Sequence, residues 1–219
     1  MSGYVLDQEL GEVDSLVDRM LDEVINDYAS VMAYYLDEGA YEPSRFLDDD
    51  RINAFERQVE SLCMQILLRE RVFSGDLRKV LGNLKLVEDV ERIGDQNWDI
   101  LNVTQRLKGL KDETKVVPEF RPIVAVVTSM IKDALACYVK EDKALALDIL
   151  SRDDIVDRDF EETLKAIAKL NSDHAISGEN TVYQTLIVKY LERIADQATN
   201  IAEWVVYIID GYHKDAKII

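Results

Sequence analysis

Apolar residues recur at three- and four-residue intervals along almost the whole chain, the period of helices that each bury one face. Val13, Leu16, Val17, Met20, Leu21, Val24 and Ile25 draw one stripe, and Val59, Leu62, Cys63, Ile66 and Leu67 a second. Leu77, Val80, Leu81, Leu84, Val87 and Val90 draw a third, which continues to Gly94 and Trp98. After Pro118 the pattern restarts with Ile123, Val126, Val127, Met130 and Ile131, then Phe160, Leu164, Ile167 and Ala168. A last stripe runs from Leu186, Ile187, Tyr190, Leu191 and Ile194 to Ile201 and Val205. Turn chemistry interrupts these stripes at Pro43-Ser44, Ser74-Gly75-Asp76, Gly109 to Pro118 and Asn171 to Gly178. The spacing predicts three helices, a linker near residues 110–117 and three more helices, with Ser74 or Asp76 as N-cap of the third. With 3 Pro and 9 Gly in the whole chain, a many-stranded, turn-rich fold is disfavoured.

The two halves repeat one another. Residues 91–96 read ERIGDQ and residues 192–197 read ERIADQ, five of six positions matching at an offset of 101. Ile100 answers Ile201, while Leu84-Lys85 faces Thr185-Leu186 more loosely. Upstream, Asp49-Asp50-Arg51-Ile52-Asn53 stands against Asp153-Asp154-Ile155-Val156-Asp157 at an offset of 104. Two blocks in one order point to a duplicated three-helix unit, with three residues gained or lost between them, most simply in the turn. The halves divide at residues 1–112 and 113–219, a length suited to two domains of roughly 100 residues.

Charge narrows the partners. The 219 residues carry 43 acidic and 26 basic side chains, a formal charge of -17. Nucleic acid, whose binding rests on phosphate neutralisation, is repelled by such a field, as is an anionic lipid surface. Cations and basic protein patches are the natural partners. Cys63 and Cys137 make no disulfide framework and no C-x-x-C metal spacing, so buried, reduced thiols are expected. The start, MSGYVLDQELGEV, lacks a basic segment followed by an apolar stretch, so no signal peptide is expected. No apolar run approaches the roughly 20 residues of a membrane span, and the stretch around Ile123–Val127 reads as a buried helix segment. These points predict a cytoplasmic protein that is not integral to a membrane.

The candidate chemistry lies in carboxylates. Glu88, Glu91, Asp95, Asp99 and Asn102 follow at three- and four-residue steps, and Lys189, Glu192, Asp196, Asn200 and Glu203 take the corresponding places. On a helix such residues share a face, where like charges repel by a few tenths of a kcal/mol per exposed pair. If Gly75 marks the turn between antiparallel helices, the Asp49/Asp50/Asn53 group comes level with Asp95 and Asp99. A turn near Ile176-Ser177 sets Asp153 opposite Asn200 and Asp157 opposite Asp196, with Asp154 beside them. Oxygen-rich clusters of this kind suit hard cations. The competing reading is a solvated face whose charges are met by Arg92 and Arg193, pairs of little energetic weight. His174 and His213 make no E-x-x-H with the acidic helices, which counts against a di-iron bundle. No Ser/His or Cys/His arrangement and no glycine-rich phosphate loop has local support. The ending Trp204-Val205-Val206-Tyr207-Ile208-Ile209 is compatible with a homodimer seam and equally with core burial.

The segment Lys189–Gly211, KYLERIADQATNIAEWVVYIIDG, resembles the last helix of PhoU proteins, and Gly75–Asp95, GDLRKVLGNLKLVEDVERIGD, resembles the matching helix of their first repeat. The resemblance runs over nearly the whole chain, with the aspartate blocks near Asp49 and Asp153 in order. It implies an all-α fold of two tandem, pseudo-symmetric three-helix bundles. It implies metal sites (Mg, Mn, Fe or Zn) at Glu91-x-x-x-Asp95 and Glu192-x-x-x-Asp196, and no enzymatic role. It further implies negative control of phosphate uptake and phosphate-starvation signalling, linking the ATPase of a phosphate ABC transporter with a sensor histidine kinase at the inner face of the membrane. An accessory protein of a low-affinity phosphate carrier is the alternative within the same class, and a metal-dependent phosphoester hydrolase the alternative outside it.

Departures from the family pattern bear on the metal. Gln96 and Gln197 stand where many members have histidine, so a nitrogen donor is missing. Asn97-Trp98-Asp99 replaces the small-residue-then-Asn pattern kept as Ala198-Thr199-Asn200. Asp99 and Glu88 add charge where Asn200 and Lys189 do not, which predicts tighter cation binding in the first repeat.

Overall fold

The computed structural model describes residues 2–37, 49–69, 72–111, 116–117, 119–213 and 216–217. Helix α1 spans Ser2–Tyr35, α2 Asp49–Arg69 and α3 Ser74–Lys108. After the 110–117 region come α4 (Phe120–Lys140), α5 (Lys143–Leu150), α6 (Asp153–Ser172) and α7 (Gly178–Asp210). The expected break at Pro43-Ser44 lies outside the described residues.

Each long helix buries the stripe that its sequence draws. Val13, Val17, Met20, Leu21 and Val24 of α1 are almost wholly buried, as are Val59, Cys63 and Ile66 of α2. Helices α3 and α7 form the centre and run antiparallel. The Arg78 guanidinium donates to the Ile208 carbonyl at 3.4 Å near one end, and Asn200 Nδ2 donates to Asp89 at 3.4 Å further along. Around this pair, α1 and α2 cover α3 while α4, α5 and α6 cover α7. The outer layers meet where α1 touches α4: Tyr28 donates to the Val124 carbonyl at 3.4 Å, and Tyr35 packs edge-on to Phe120 at 5.1 Å. The result is all-helical, two related units around one continuous core.

Helix ends follow capping chemistry. Ser177 accepts from the Asn180 amide at 3.1 Å at the start of α7, and Gly211, at φ 78°, closes its end in the left-handed conformation that glycine tolerates. Asp142 accepts from the Leu145 amide at 3.1 Å and so starts α5. The third helix departs from expectation: its N-cap is Phe73 with no side-chain cap bond, and Ser74 and Asp76 lie inside the first turn. Asp76 there meets the positive end of the helix dipole.

Three further differences have physical causes. The short α5 sends only Ala146 and Ile149 into the core, too few to draw a stripe of its own. Helix α4 is longer and more apolar than the short apolar run had indicated: over 21 residues it meets the length and composition of a membrane span. In the structure its buried residues, Ile123, Val127, Met130 and Ala134 among them, pack against neighbouring helices. At the C-terminal end, Tyr212–His213 and Ala216–Lys217 pair as a minimal antiparallel hairpin that the helical period did not announce.

Candidate functional site

The second-repeat carboxylates assemble first, because the core fixes the phase of both helices. Burial of Leu191, Ile194, Ala195 and Ala198 turns Glu192 and Asp196 of α7 outward, and burial of Val156 sets Asp153 and Asp157 on the surface of α6. These four side chains share one electrostatic environment. Partial desolvation, then the charges of Glu192, Asp153 and Asp157, push the Asp196 carboxyl up to about 6, against a smaller pull from Lys189. Asp153 is raised by desolvation and then by Asp157, Asp154 and Glu192. Asp154 is exposed at the edge of the group. Lys189 salt-bridges Glu192 at 2.5 Å, so one motif carboxylate is already neutralised.

The first repeat brings together a different set. Ile52 of α2 packs over Gly94 of α3, where an added Cβ would lie 3.2 Å from the Ile52 Cγ2. That close approach carries Glu56 of α2, a residue the sequence reading passed over, toward α3. Glu56 is raised by desolvation, then by Glu60, Glu88 and Asp95, with Arg57 opposing. Glu91 lies one turn from Asp95 and is half-buried, while Asp95 is exposed. Asp50 is exposed beside Arg51, whose guanidinium pairs with Glu23 at 2.5 Å. The Asp49 side chain lies outside the described residues.

Asp157 acts on Asp196 as expected, but the level expected of Asp153 is corrected. Asp153 belongs with Glu192 and Asp196, not opposite Asn200. The cause is that Gly75 sits inside the start of α3 and that the segment between α6 and α7 runs from Asp173 to Ser177, so the true turns are centred earlier than Gly75 and Ile176-Ser177. The three-residue difference also lies in the helix rather than in the turn: relative to its motif, α3 begins three residues earlier than α7.

Asp99 and Asn200 do not join these clusters. Asp99 reaches Tyr190 on α7, which raises the tyrosine hydroxyl after desolvation does. Asn200 donates to Asp89 on α3. Asp99/Asn200 and Asp89/Tyr190 are both pairs at the 101-residue offset, so these two contacts are pseudo-symmetric mates across the α3–α7 seam. Asp89, another residue unmarked in the sequence, is a nearly buried carboxylate. It accepts from Trp204 Nε1 at 3.0 Å and from Arg92 at 3.1 Å, yet desolvation outweighs these donors and raises it. Trp204 in turn stacks on His213 at 3.9 Å and meets the buried Tyr207 edge-on at 5.9 Å. The aromatic ending is thus engaged within the chain.

The PhoU domain model matches residues 15–104 and again residues 121–205. The chain belongs to the PhoU family. It is 34% identical over 169 residues to the phosphate-specific transport system accessory protein PhoU homolog of Clostridium acetobutylicum, covering 76% of both chains. The homolog of the same description from Pseudomonas aeruginosa is 32% identical over 198 residues, covering 90% of this chain and 78% of that one. The crystal structure of PhoU from Pseudomonas aeruginosa superposes with a TM-score of 0.74 at 27% identity, covering 96% of this chain and 98% of that one. The phosphate transport system regulatory protein PhoU of Streptococcus pneumoniae reaches a TM-score of 0.83 over 96% of this chain and all of that one, at 24% identity, a likeness of fold alone. The PhoU family is regulatory and accessory rather than enzymatic.

The metal implied by the PhoU resemblance can be tested on the donors. Among the described residues, no three carboxylate, histidine or cysteine side chains converge as a ligand set would. The chemistry of the donors nevertheless suits a hard cation. Neighbouring carboxylates help raise Asp196, Asp153 and Glu56, a cost that a positive ion would offset, and the ligand candidates present oxygens. Gln96 Oε1 and Gln197 Oε1, at the repeat positions following the motif aspartates, are both buried without a hydrogen-bond partner among the described residues. The clusters are aligned rather than closed.

Proposed function

We propose that this chain is a negative regulator of phosphate uptake and phosphate-starvation signalling. It acts as a cation-binding adaptor between the ATPase of a phosphate ABC transporter and a sensor histidine kinase. In this reading it is cytoplasmic and reaches the inner face of the membrane through those partners. Its two domains divide at 1–112 and 113–219. The observation that carries the proposal is the pair of carboxylate clusters at corresponding places of a duplicated unit, in a chain whose relatives are phosphate transport accessory proteins.

Glu192, Asp196, Asp153, Asp154 and Asp157 hold the cation of the second repeat. Glu91 and Asp95, with Asp49, Asp50 and the added Glu56 and Glu88, hold that of the first. All of these donors are oxygens, a set that favours Mg²⁺, Mn²⁺ or ferric iron over the softer preferences of Zn²⁺. The ion offsets carboxylate repulsion and fixes the helix faces that partners meet.

The test is capture of the purified ATPase and of the kinase's cytoplasmic part by the immobilised chain, with Mn²⁺ and after chelation. Capture with Mn²⁺, its loss after chelation and its return on re-addition support the adaptor. Equal capture in both conditions removes the cation from the mechanism, and no capture of either partner removes the adaptor.

A further inference from the structure

A cleft of about 240 Å³ opens between the two halves, at the end of the molecule where α7 finishes. Its floor is aliphatic: Val139 of α4, 55% exposed, faces it together with Val205, Ile208 and Ile209 of α7. Its rim is acidic, with Asp14 and Asp18 from α1 and Glu141 following α4.

The cation among the described lining residues, Lys79, is already spoken for. Its ammonium sits 2.7 Å from Asp14 and 3.4 Å from Glu141, one carboxylate from each half. Asp14 also accepts from the Tyr138 hydroxyl at 3.2 Å. Asp18 has no ion pair or hydrogen bond among the described residues, and desolvation and Asp22 raise its carboxyl. Asp14, Asp18 and Asp22 follow one another at four-residue steps, so an acidic line leads from the cleft along α1.

Charge and size decide the occupant. With three carboxylates against one committed ammonium, an anion is repelled. The volume is also below the roughly 300–1,000 Å³ of small-molecule sites. A single long side chain fits better, its aliphatic stem on the floor and its charge at the rim. We propose that this cleft is a docking socket for a partner helix that carries arginine or lysine residues one turn apart with leucine-like residues between them. The opening is not reproduced by symmetry, since Asn180, which stands in place of Lys79 at the 101-residue offset, is completely buried. A chemically single-sided socket gives the pseudo-symmetric molecule a direction in which to bind.

The inference rests on the reading of the chain as a docking protein but is tested without the transporter or the kinase. The probe is a fluorescein-labelled helical peptide with arginines four apart and leucines between, beside a twin in which glutamates replace the arginines. Methyl NMR of the whole chain reports the site, and anisotropy the affinity. The arginine peptide is expected to shift the methyls of Val139, Ile208 and Ile209. Asp18→Lys should weaken it at least about tenfold, the equivalent of ~1.4 kcal/mol, and gain binding of the glutamate twin. Val139→Ser, which leaves every rim charge in place, should also weaken it. Glu161→Gln with Glu162→Gln, a charge change on the exposed face of α6, should leave it unchanged, with folding of all variants checked by circular dichroism. The socket is overturned if Asp18→Lys and Val139→Ser bind as the parent does, if those methyls do not move, or if the Glu161/Glu162 variant loses as much. Such outcomes, alongside cation-dependent capture of the partners, would sink the socket and leave the adaptor standing.

Discussion

Asp27 offers the sharpest link between burial and stability. It is 6% exposed on the inner side of α1, and burial, followed by the charge of Glu23, pushes its carboxyl up to about 7, with Arg51 opposing. An ordinary aspartate in the unfolded chain titrates at 3.8. A folded-state value above the unfolded one means that the fold prefers the protonated acid. The stabilisation is complete below the unfolded value and is lost as pH rises through about 7. Each pKa unit is worth about 1.36 kcal/mol, so the full loss approaches ~4 kcal/mol, and about 2–3 kcal/mol of it falls between pH 5 and pH 8. Asp27→Asn keeps the shape and removes the titration. Urea unfolding of parent and variant at both pH values cancels the other titrating groups in the double difference. The stability of the variant relative to the parent should rise by about 2–3 kcal/mol from pH 5 to pH 8. A relative stability that is flat within about 0.5 kcal/mol would show that Asp27 ionises without cost, and the reasoning from its burial would fail.

Other consequences follow from the same packing. Gly82 lies where α3 and α7 touch, and a methyl built there would overlap Ile208; Gly82→Ala should cost about 1–3 kcal/mol in thermal or urea unfolding, with partial rescue by Ile208→Val. Asp95→Ala should reduce Mn²⁺ uptake, measured by calorimetry, more than Asp196→Ala does, and Lys189→Glu should narrow the gap by freeing Glu192; greater loss from Asp196→Ala would refute the ranking. Trp204→Phe removes a donor to the buried Asp89 and should destabilise the chain by about 1–3 kcal/mol, more than Asp89→Asn combined with Trp204→Phe. Burial pushes the Cys63 and Cys137 thiols up to about 12, so a thiol reagent at pH 8 should label neither until denaturant unfolds the chain.

What the sequence made legible, and what it hid, follow from the periods involved. A stripe such as Val13, Val17, Met20, Val24 announces a buried helix face because burial repeats with the helix itself. The duplication was legible for the same reason, since equal chemistry at a fixed offset requires equal surroundings. Register was harder. It depends on where the turn falls: Gly75 proved to be a first-turn residue of α3, and the turn before α7 is centred earlier than Ile176-Ser177. That displacement moved Asp153 from Asn200 to the Glu192/Asp196 level. Face assignment fails over distance as well. Residues four apart on a helix of 3.6 residues per turn advance by about 40°, so Asp99, eight residues beyond Glu91, has rotated about 80° and meets Tyr190 of α7. Asn200 departs for the same reason. Glu56 was hidden because its counterpart at the 104-residue offset is Phe160, and a comparison of repeats passes over what they do not share.

Those unshared positions give the two halves different chemistry on one scaffold. Where the first repeat sets Glu56 beside Glu88, the second sets Phe160 beside Lys189, whose ammonium lies 5.5 Å from the ring centre while it also holds Glu192. The first side therefore gathers more carboxylates, with Lys85 pairing Glu88 at 2.8 Å, and the second brings its ammonium onto Glu192. Asp89 and Tyr190 divide the seam in the same manner, a buried acid with three donors on one side and a phenol meeting Asp99 on the other. Hydrophobic burial needs only volume and period, so it keeps the repeats alike, whereas surface charge is free to diverge. A divalent ion at low concentration should thus fill the first-repeat cluster before the second. Occupancy would change one face of the molecule first, and a two-step rather than a single uptake is what calorimetry should record.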